Sequence, residues 1–246
     1  MTVKNIKTAI FEFIKKIFCR ETLTCNLCGR EIFSGKYFCD DCLKKLPFNN
    51  KYVCNHCGRE LAVPEEYCNS CKQYNTHFDR ARSVFLYEGA VRKTITDLKY
   101  RNRKYLAGIL ASYMLPLYIK SYFNADFIVF IPMTAKKQRK RGYNQAELIA
   151  REFSERCGIE VKDDIIYKRS ETESQVGKSR EERQKNLSGS FGIRNAEELE
   201  NKTVLLIDDV LTTGTTADTV SELFKKKGAK EVFVLTAASV QTERNK

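Results

Sequence analysis

The chain has 246 residues, 42% of them hydrophobic, which is enough for two domains with a real core. No apolar stretch approaches the length that a membrane span needs. A formal net charge of +12, spread along the whole length, favours polyanionic partners such as pyrophosphate or nucleic acid.

The first 18 residues carry Val3, Ile6, Ile10, Phe13, Ile14 and Ile17 on one stripe beside Lys4, Lys7, Lys15 and Lys16, predicting an amphipathic helix over 1–18. Such a helix packs on its own protein or lies on an anionic membrane, giving peripheral contact on the inner face without a transmembrane span. Lys7 and Glu12 break any signal-peptide h-region, so a cytoplasmic location with reduced thiols is expected.

Residues 19–76 are organised by cysteine. Cys25, Cys28, Cys39 and Cys42 recur 29 residues later as Cys54, Cys57, Cys68 and Cys71, and CNLCGREIFSGKYFCDDC aligns without a gap to CNHCGRELAVPEEYCNSC. This is an internal duplication. Two CxxC pairs per unit supply four thiolates, the ligand set of a closed, tetrahedral structural zinc site of the ribbon type, so two structural Zn2+ are expected. A disulfide framework would need an oxidising compartment, and a redox centre would need only one CxxC. Units this short bury little apolar surface, so the metal would contribute most of the folding energy, ~10 to 16 kcal/mol per site in peptide models. Two four-thiolate centres would also bring the net charge to about +8. His56 and His77 stand outside the complete ligand sets, and Cys19 and Cys157 outside the pattern. Tyr37, Phe38, Phe48, Tyr52 and Tyr74 either fill the small core of this region or offer stacking surfaces to bases.

The second domain spans 77–246 and begins with Phe78 to Glu88. Ala90 to Tyr118 reads as mainly helical from Ile95, Leu98, Leu106, Ile109 and Leu110, with a basic cluster of Lys99, Arg101, Arg103 and Lys104 between the segments. DFIVFIP at 126–132 is a buried-strand signal. The basic turn TAKKQRKRGYNQ follows, and then a helix from Asn144, where Asn144 and Glu147 resemble a capping box and Leu148, Ile149 and Phe153 give a core stripe. Ser170 to Ser190 is polar apart from Val176 and Leu187, a pattern of lids or unstructured insertions.

The densest signal is TVLLIDDVLTTGTT at 203–216. Val204 to Ile207 read as a buried parallel strand with Asp208 and Asp209 at its carboxyl end, and Thr212, Thr213, Gly214, Thr215 and Thr216 form a turn. A helix follows, with Val220, Leu223 and Phe224 at helical spacing, Lys225 to Lys227 at its negative end and Gly228 at its C-cap, before a strand at 231–238. Free N–H groups at a helix start beyond a Thr/Gly turn bind a phosphate monoester, and vicinal carboxylates suit ribose hydroxyls and a hydrated Mg2+. No Gly-Lys-Ser/Thr ends the turn and no GxGxxG is present, so neither a Walker loop nor a dinucleotide fingerprint applies. A five-phosphorylated ribose fits.

At these residues the chain resembles the type I phosphoribosyltransferases. The resemblance implies an α/β fold, a parallel sheet with flanking helices, here preceded by a small double zinc ribbon. It also implies that Asp208 and Asp209 are the catalytic acids that bind the ribose hydroxyls of phosphoribosyl pyrophosphate (PRPP) together with Mg2+, and that Thr212 to Thr216 hold its 5-phosphate. In this reading the basic turn holds the pyrophosphate, with Arg141 and Gly142 as the sharpest candidates beside Lys136, Lys137, Arg139 and Lys140. The polar stretch becomes a flexible closing loop carrying Gln175, Lys178 and Arg183. Members acting on 6-oxopurines carry a carboxylate where this chain has Thr212, which weighs against purine salvage.

The paired CxxC units, RGYNQ at 141–145, the series Gln175, Arg183, Asn186 and Phe191, and IDDVLTTGTT together resemble the ComF family. That resemblance covers nearly the whole chain and implies a role in natural transformation, in which incoming single-stranded DNA is handled in the cytoplasm. PRPP, single-stranded DNA and other DNA-uptake proteins are the partners it implies. Two functions stay open: a competence factor that binds Mg-PRPP and DNA, and an active phosphoribosyltransferase that serves nucleotide metabolism with an unidentified nitrogenous acceptor.

Overall fold

The computed structural model describes residues 24–32, 37–169 and 189–241. It divides into two compact units, 1–46 and 47–246. The helix predicted over 1–18, and Gln175, Lys178 and Arg183 of the predicted closing loop, lie outside the described residues.

In the first unit a knuckle closes where the N–H of Cys25 donates to the Arg30 carbonyl at 2.7 Å and that of Gly29 to the Cys25 carbonyl at 2.9 Å. Gly29 makes the turn with φ 74. Cys39 caps the short helix α1, Asp40–Lys44, which carries Cys42.

The second unit opens by repeating this device, with Cys54 and Cys57 on a knuckle and Cys68 capping α2, Asn69–Gln73. The chain then passes through β1 (Arg80–Leu86), α3 (Gly89–Tyr100), α4 (Leu106–Lys120), β2 (Phe127–Phe130), α5 (Ala135–Arg141) and α6 (Gln145–Cys157). There follow β3 (Ile166–Lys168), β4 (Phe191–Ile193), β5 (Thr203–Leu211), α7 (Thr215–Lys226) and β6 (Glu231–Ser239). Four strands form a parallel sheet in the order β1, β6, β5, β2, while β3 and β4 pair antiparallel.

The expected fold class is the observed one: a parallel sheet of the type I phosphoribosyltransferase kind with flanking helices. Its inner strands are buried along most of their length because both faces are covered. On one face α4 packs on β1 and β6, and α6 packs beside it on β2 and β5. On the other face Val220 and Phe224 of α7 join Val204 and Leu206 of β5 in a core that also takes in Cys54, Cys57, Leu61 and Cys68. The second cysteine unit is thus part of the sheet's own core.

Three local expectations need correction. The strand predicted at Val204–Ile207 continues to Leu211, because β6 stays paired with it through Asp208, Val210 and Leu211. The basic turn is largely the helix α5, since Ala, Lys, Gln and Arg are strong helix formers and the segment is capped at both ends. Thr134 Oγ1 accepts from the Lys137 N–H at 3.3 Å, and Gly142 takes the left-handed C-cap with φ 87. On α6 the buried face is Ala146, Ile149, Ala150 and Phe153, with Leu148 only half-buried. Asn144 caps this helix through the Ala146 N–H at 3.0 Å, while Glu147 pairs with Arg151 at 3.0 Å. Among the described residues no helix is long and apolar enough to cross a membrane.

Candidate functional site

The two acids sit on a strand that is paired on one side only. β2 leaves β5 at the Phe130–Ile207 pair, whereas β6 continues to Leu211. On the side that β2 has left, the Asp209 N–H donates to Oδ1 of Asp208 at 2.8 Å, so a side chain takes a ladder partner's place.

Strand alternation sends the carboxylates to opposite faces of the sheet. Asp209 is buried, with Oδ2 at 2.6 Å from Nζ of Lys99 on α3. Burial lowers the Lys99 pKa, but the carboxylates of Asp209 and Asp208 outweigh it and hold the ammonium above its ordinary value. Asp208 points to the α7 side. Burial and the adjacent Asp209 charge push its carboxyl up to about 7, against the opposing pull of the Asp209 N–H, Lys99 and Lys168. Asp209 is thus ion-paired with Lys99, and Asp208 is the acid poised near neutrality.

From Leu211 the chain turns into α7 through Thr212, Thr213 and Gly214. Gly214 has φ 81, and among the described residues a Cβ there would meet only Leu211 and Phe78 at 3.9 Å, so conformation rather than crowding calls for glycine. The hydroxyl oxygens of Thr213 and Thr215 are 2.9 Å apart. With the first N–H groups of α7, which have no carbonyl partner inside the helix, they form a donor-rich concavity suited to a tetrahedral oxyanion.

The second cysteine unit supports this turn from behind. Arg59 is buried and donates from Nη1 to the Thr212 carbonyl at 3.2 Å, from Nε to Cys57 Sγ at 3.4 Å and from Nη2 to Cys68 Sγ at 3.7 Å. The His77 N–H donates at 2.6 Å to Oδ1 of the buried Asp218, in the first turn of α7. In the sequence Lys99 stands out only as a member of a basic cluster, and Arg59 and Asp218 carry no functional signal at their own positions. A signal for Arg59 does exist in the duplication, where its counterpart Arg30 pairs with Asp41 at 2.7 Å and the counterpart of Asp41 is Ser70.

The remaining basic candidates are partly engaged. Arg101 and Arg103 pair with Asp97 at 3.2 and 3.0 Å, and Lys104 lies over the Tyr143 ring at 5.0 Å. Arg141 donates to Gln145 Oε1 and stacks 5.0 Å over Tyr100, the residue after Lys99. Gly142 separates α5 from α6, and Lys136, Lys137, Arg139 and Lys140 are exposed along α5.

Both cysteine groups fit zinc. Within each, the four Sγ atoms lie within 4.8 Å of one another. The Cys28–Cys39 and Cys57–Cys68 separations are 3.7 Å. A tetrahedron with Zn–S of about 2.3 Å has an edge of about 3.8 Å, whereas a disulfide needs about 2.05 Å. In the first group, burial opposes ionisation of Cys25, yet backbone hydrogen bonds hold its thiol down to about 6, while burial and the other three thiols push Cys42 up to about 12. Only a dication allows all four to be thiolates together. His56 and His77 belong to neither group: His56 pairs with Thr76 and stacks 5.1 Å from Phe78. Of the aromatics, Phe38 is buried and Phe48 packs 4.9 Å from Phe85, whereas Tyr52 and Tyr74 are exposed.

A parallel sheet with this acid-and-threonine corner, joined to paired four-cysteine ribbons, defines a phosphoribosyltransferase-type domain with a double zinc ribbon. A family model described as a phosphoribosyl transferase domain matches residues 139–245, and one described as a double zinc ribbon domain matches residues 13–72. Together with relatives named competence protein F and ComFC, these matches support a ComF family protein. The chain is 34% identical over 110 residues to competence protein F of Haemophilus influenzae, covering 44% of this chain and 48% of that one. It is 33% identical over 151 residues to competence protein ComFC of Streptococcus pneumoniae, covering 61% and 64%. Over 162 residues it is 26% identical to the DNA utilization protein YhgH of Salmonella typhi, covering 64% and 70%. The chain spans less than two thirds of the length of the first two relatives.

Proposed function

We propose that this protein binds PRPP with Mg2+ at the carboxyl end of β5 and acts in natural competence, handling incoming single-stranded DNA in the cytoplasm. The observation that carries the ligand is the run from Asp208 and Asp209, on a strand paired on one side, into the Thr212–Thr216 turn at the start of α7. In this reading the turn's amides and hydroxyls take the 5-phosphate, the acids take the ribose hydroxyls and the hydrated cation, and Arg141 with Gly142 serves the pyrophosphate. The relatives named competence protein F, ComFC and DNA utilization protein support the DNA role. The net charge of +12, the exposed lysines of α5 and the exposed Tyr52 and Tyr74 offer the backbone-binding and stacking chemistry that single strands need. Peripheral membrane contact through 1–18 and partnership with other DNA-uptake proteins belong to the same reading.

Calorimetry of PRPP binding with and without Mg2+, on wild type and an Asp208→Ala, Asp209→Ala double variant, tests it. Metal-dependent binding that the double variant loses is the expected outcome; equal or absent binding in both would remove the phosphoribosyl reading.

One observation favours a second reading. A carboxyl pushed up to about 7, as at Asp208, has the basicity of a group that takes a proton during catalysis. Here the protein would be a phosphoribosyltransferase: a nitrogen acceptor bonds to the ribose C1 as the bond to pyrophosphate breaks, and its proton passes to Asp208. Pyrophosphate release from Mg-PRPP over a panel of nitrogenous bases, abolished in Asp208→Asn, would establish this.

A further inference from the structure

The duplicated unit places an arginine after each knuckle glycine, and the two have different surroundings. Arg30 is exposed and donates to Asp41 at 2.7 Å. Arg59 has Ser70 at the position of that acid, is only 8% exposed, and aims its donors at Cys57 Sγ, Cys68 Sγ and the Thr212 carbonyl. The glycines diverge in the same way. Among the described residues, a Cβ on Gly29 would meet nothing within 4 Å, while one on Gly58 would lie 2.3 Å from the carbonyl oxygen of Ala81 in β1. A guanidinium is buried only where its charge and its donors are matched. Here the match is a pair of metal-binding sulfurs on one side and the first residue of the phosphate turn on the other.

We infer that Arg59 is a positioning residue of the phosphate turn, through which the metal state of the Cys54, Cys57, Cys68 and Cys71 centre sets the affinity of Thr212–Thr216 for the 5-phosphate of PRPP. This rests on the PRPP reading above. Cys57 and Cys68, held at fixed spacing by a bound metal, are the sulfur acceptors that set the plane of the guanidinium and aim Nη1 at Thr212. Without it the two sulfurs lose their fixed spacing, and Arg59 and the turn lose that support. Coupling between two binding events is reciprocal, so PRPP must also perturb the metal centre.

The test uses the full chain loaded with Co2+, whose thiolate charge-transfer and d–d bands report the centre, in excess Mg2+. Mg-PRPP affinity by calorimetry and the cobalt spectrum at saturation are followed in wild type, Arg59→Lys, Arg59→Ala and Arg30→Ala, with circular dichroism to confirm folding. Arg59→Ala should bind about tenfold more weakly, the size of one lost buried hydrogen bond, and Arg59→Lys should not restore it because an ammonium cannot span three acceptors. Arg30→Ala should bind like wild type. Saturation should shift the cobalt bands in wild type and leave them still in Arg59→Lys. If Arg59→Ala does not fold, Arg59→Lys decides. Wild-type affinity in Arg59→Lys together with cobalt bands that never move would overturn the inference while leaving the PRPP site standing. Absence of binding in wild type would overturn both.

Discussion

The ammonium of Lys99, near the end of α3, lies 2.6 Å from the buried Oδ2 of Asp209 on β5. One helix end therefore neutralises the inner acid and, through the neighbouring Tyr100, carries Arg141 as well. Removing the lysine leaves a buried carboxylate without its counter-charge. Lys99→Met should destabilise the protein by about 3 to 5 kcal/mol in urea unfolding, and adding Asp209→Asn should recover most of the loss. Near-wild-type stability of the single variant would mean that Asp209 finds water or another partner.

Asp208 sets a pH dependence of definite sign. Its carboxyl rises from an ordinary 3.8 to about 7, so between those values the folded protein holds a proton that the unfolded chain releases. This group's contribution to stability is therefore fully present at acid pH and is lost as pH rises through that window. Binding runs the other way, because Mg2+ and ribose hydroxyls need the carboxylate. Mg-PRPP affinity should tighten as pH rises toward about 7, with about one proton released per binding event near pH 6 and almost none at pH 8. Calorimetry in buffers of different ionisation enthalpy measures this. Asp208→Asn should remove the component and leave only PRPP's own titration; identical proton counts would place Asp208 outside the site.

Metal analysis should return about two zinc ions per chain. Cys25→Ser and Cys54→Ser should each lower this to about one, but with unequal effects on the sheet. Cys54, Cys57 and Cys68 share a core with Val204, Leu206 and Phe224, so Cys54→Ser should lower the main unfolding transition in scanning calorimetry far more than Cys25→Ser. Equal shifts would contradict that shared core.

The knuckle glycines supply a paired comparison. Both have positive φ, but only at Gly58 would a Cβ strike backbone, 2.3 Å from the Ala81 carbonyl. Gly29→Ala should cost about 1 to 3 kcal/mol from backbone strain alone. Gly58→Ala should cost clearly more, because the second cysteine knuckle must also shift off β1. Chemical denaturation of the two variants side by side decides it.

What is legible in the chain is chemistry that comes packed in consecutive or repeated positions. Eight cysteines at a fixed repeat, and two acids running into a Thr/Gly turn, need no tertiary information. Arg59 and Thr212 lie 153 residues apart, and nothing local in either announces the other. The full length of β5 is not readable locally, because its last residues include two acids and are kept extended by β6 rather than by their own character. Helix α5 is hidden by its charge: Thr134 and Gly142 mark both its ends, but seven largely basic residues look like a solvated loop until their helix propensity is weighed.

The contact of Gly58 with β1 also determines where the chain can be cut. The Ala81 N–H donates to the His56 carbonyl at 2.8 Å, Asn49 Nδ2 donates to the Gly58 carbonyl at 2.7 Å, and the Leu86 N–H donates to the Pro47 carbonyl at 2.7 Å. A shortened protein that starts at His77 would lose all three, along with Arg59. One that starts at Pro47 keeps them, so the natural point of genetic dissection falls between the two copies of the duplication rather than after the second.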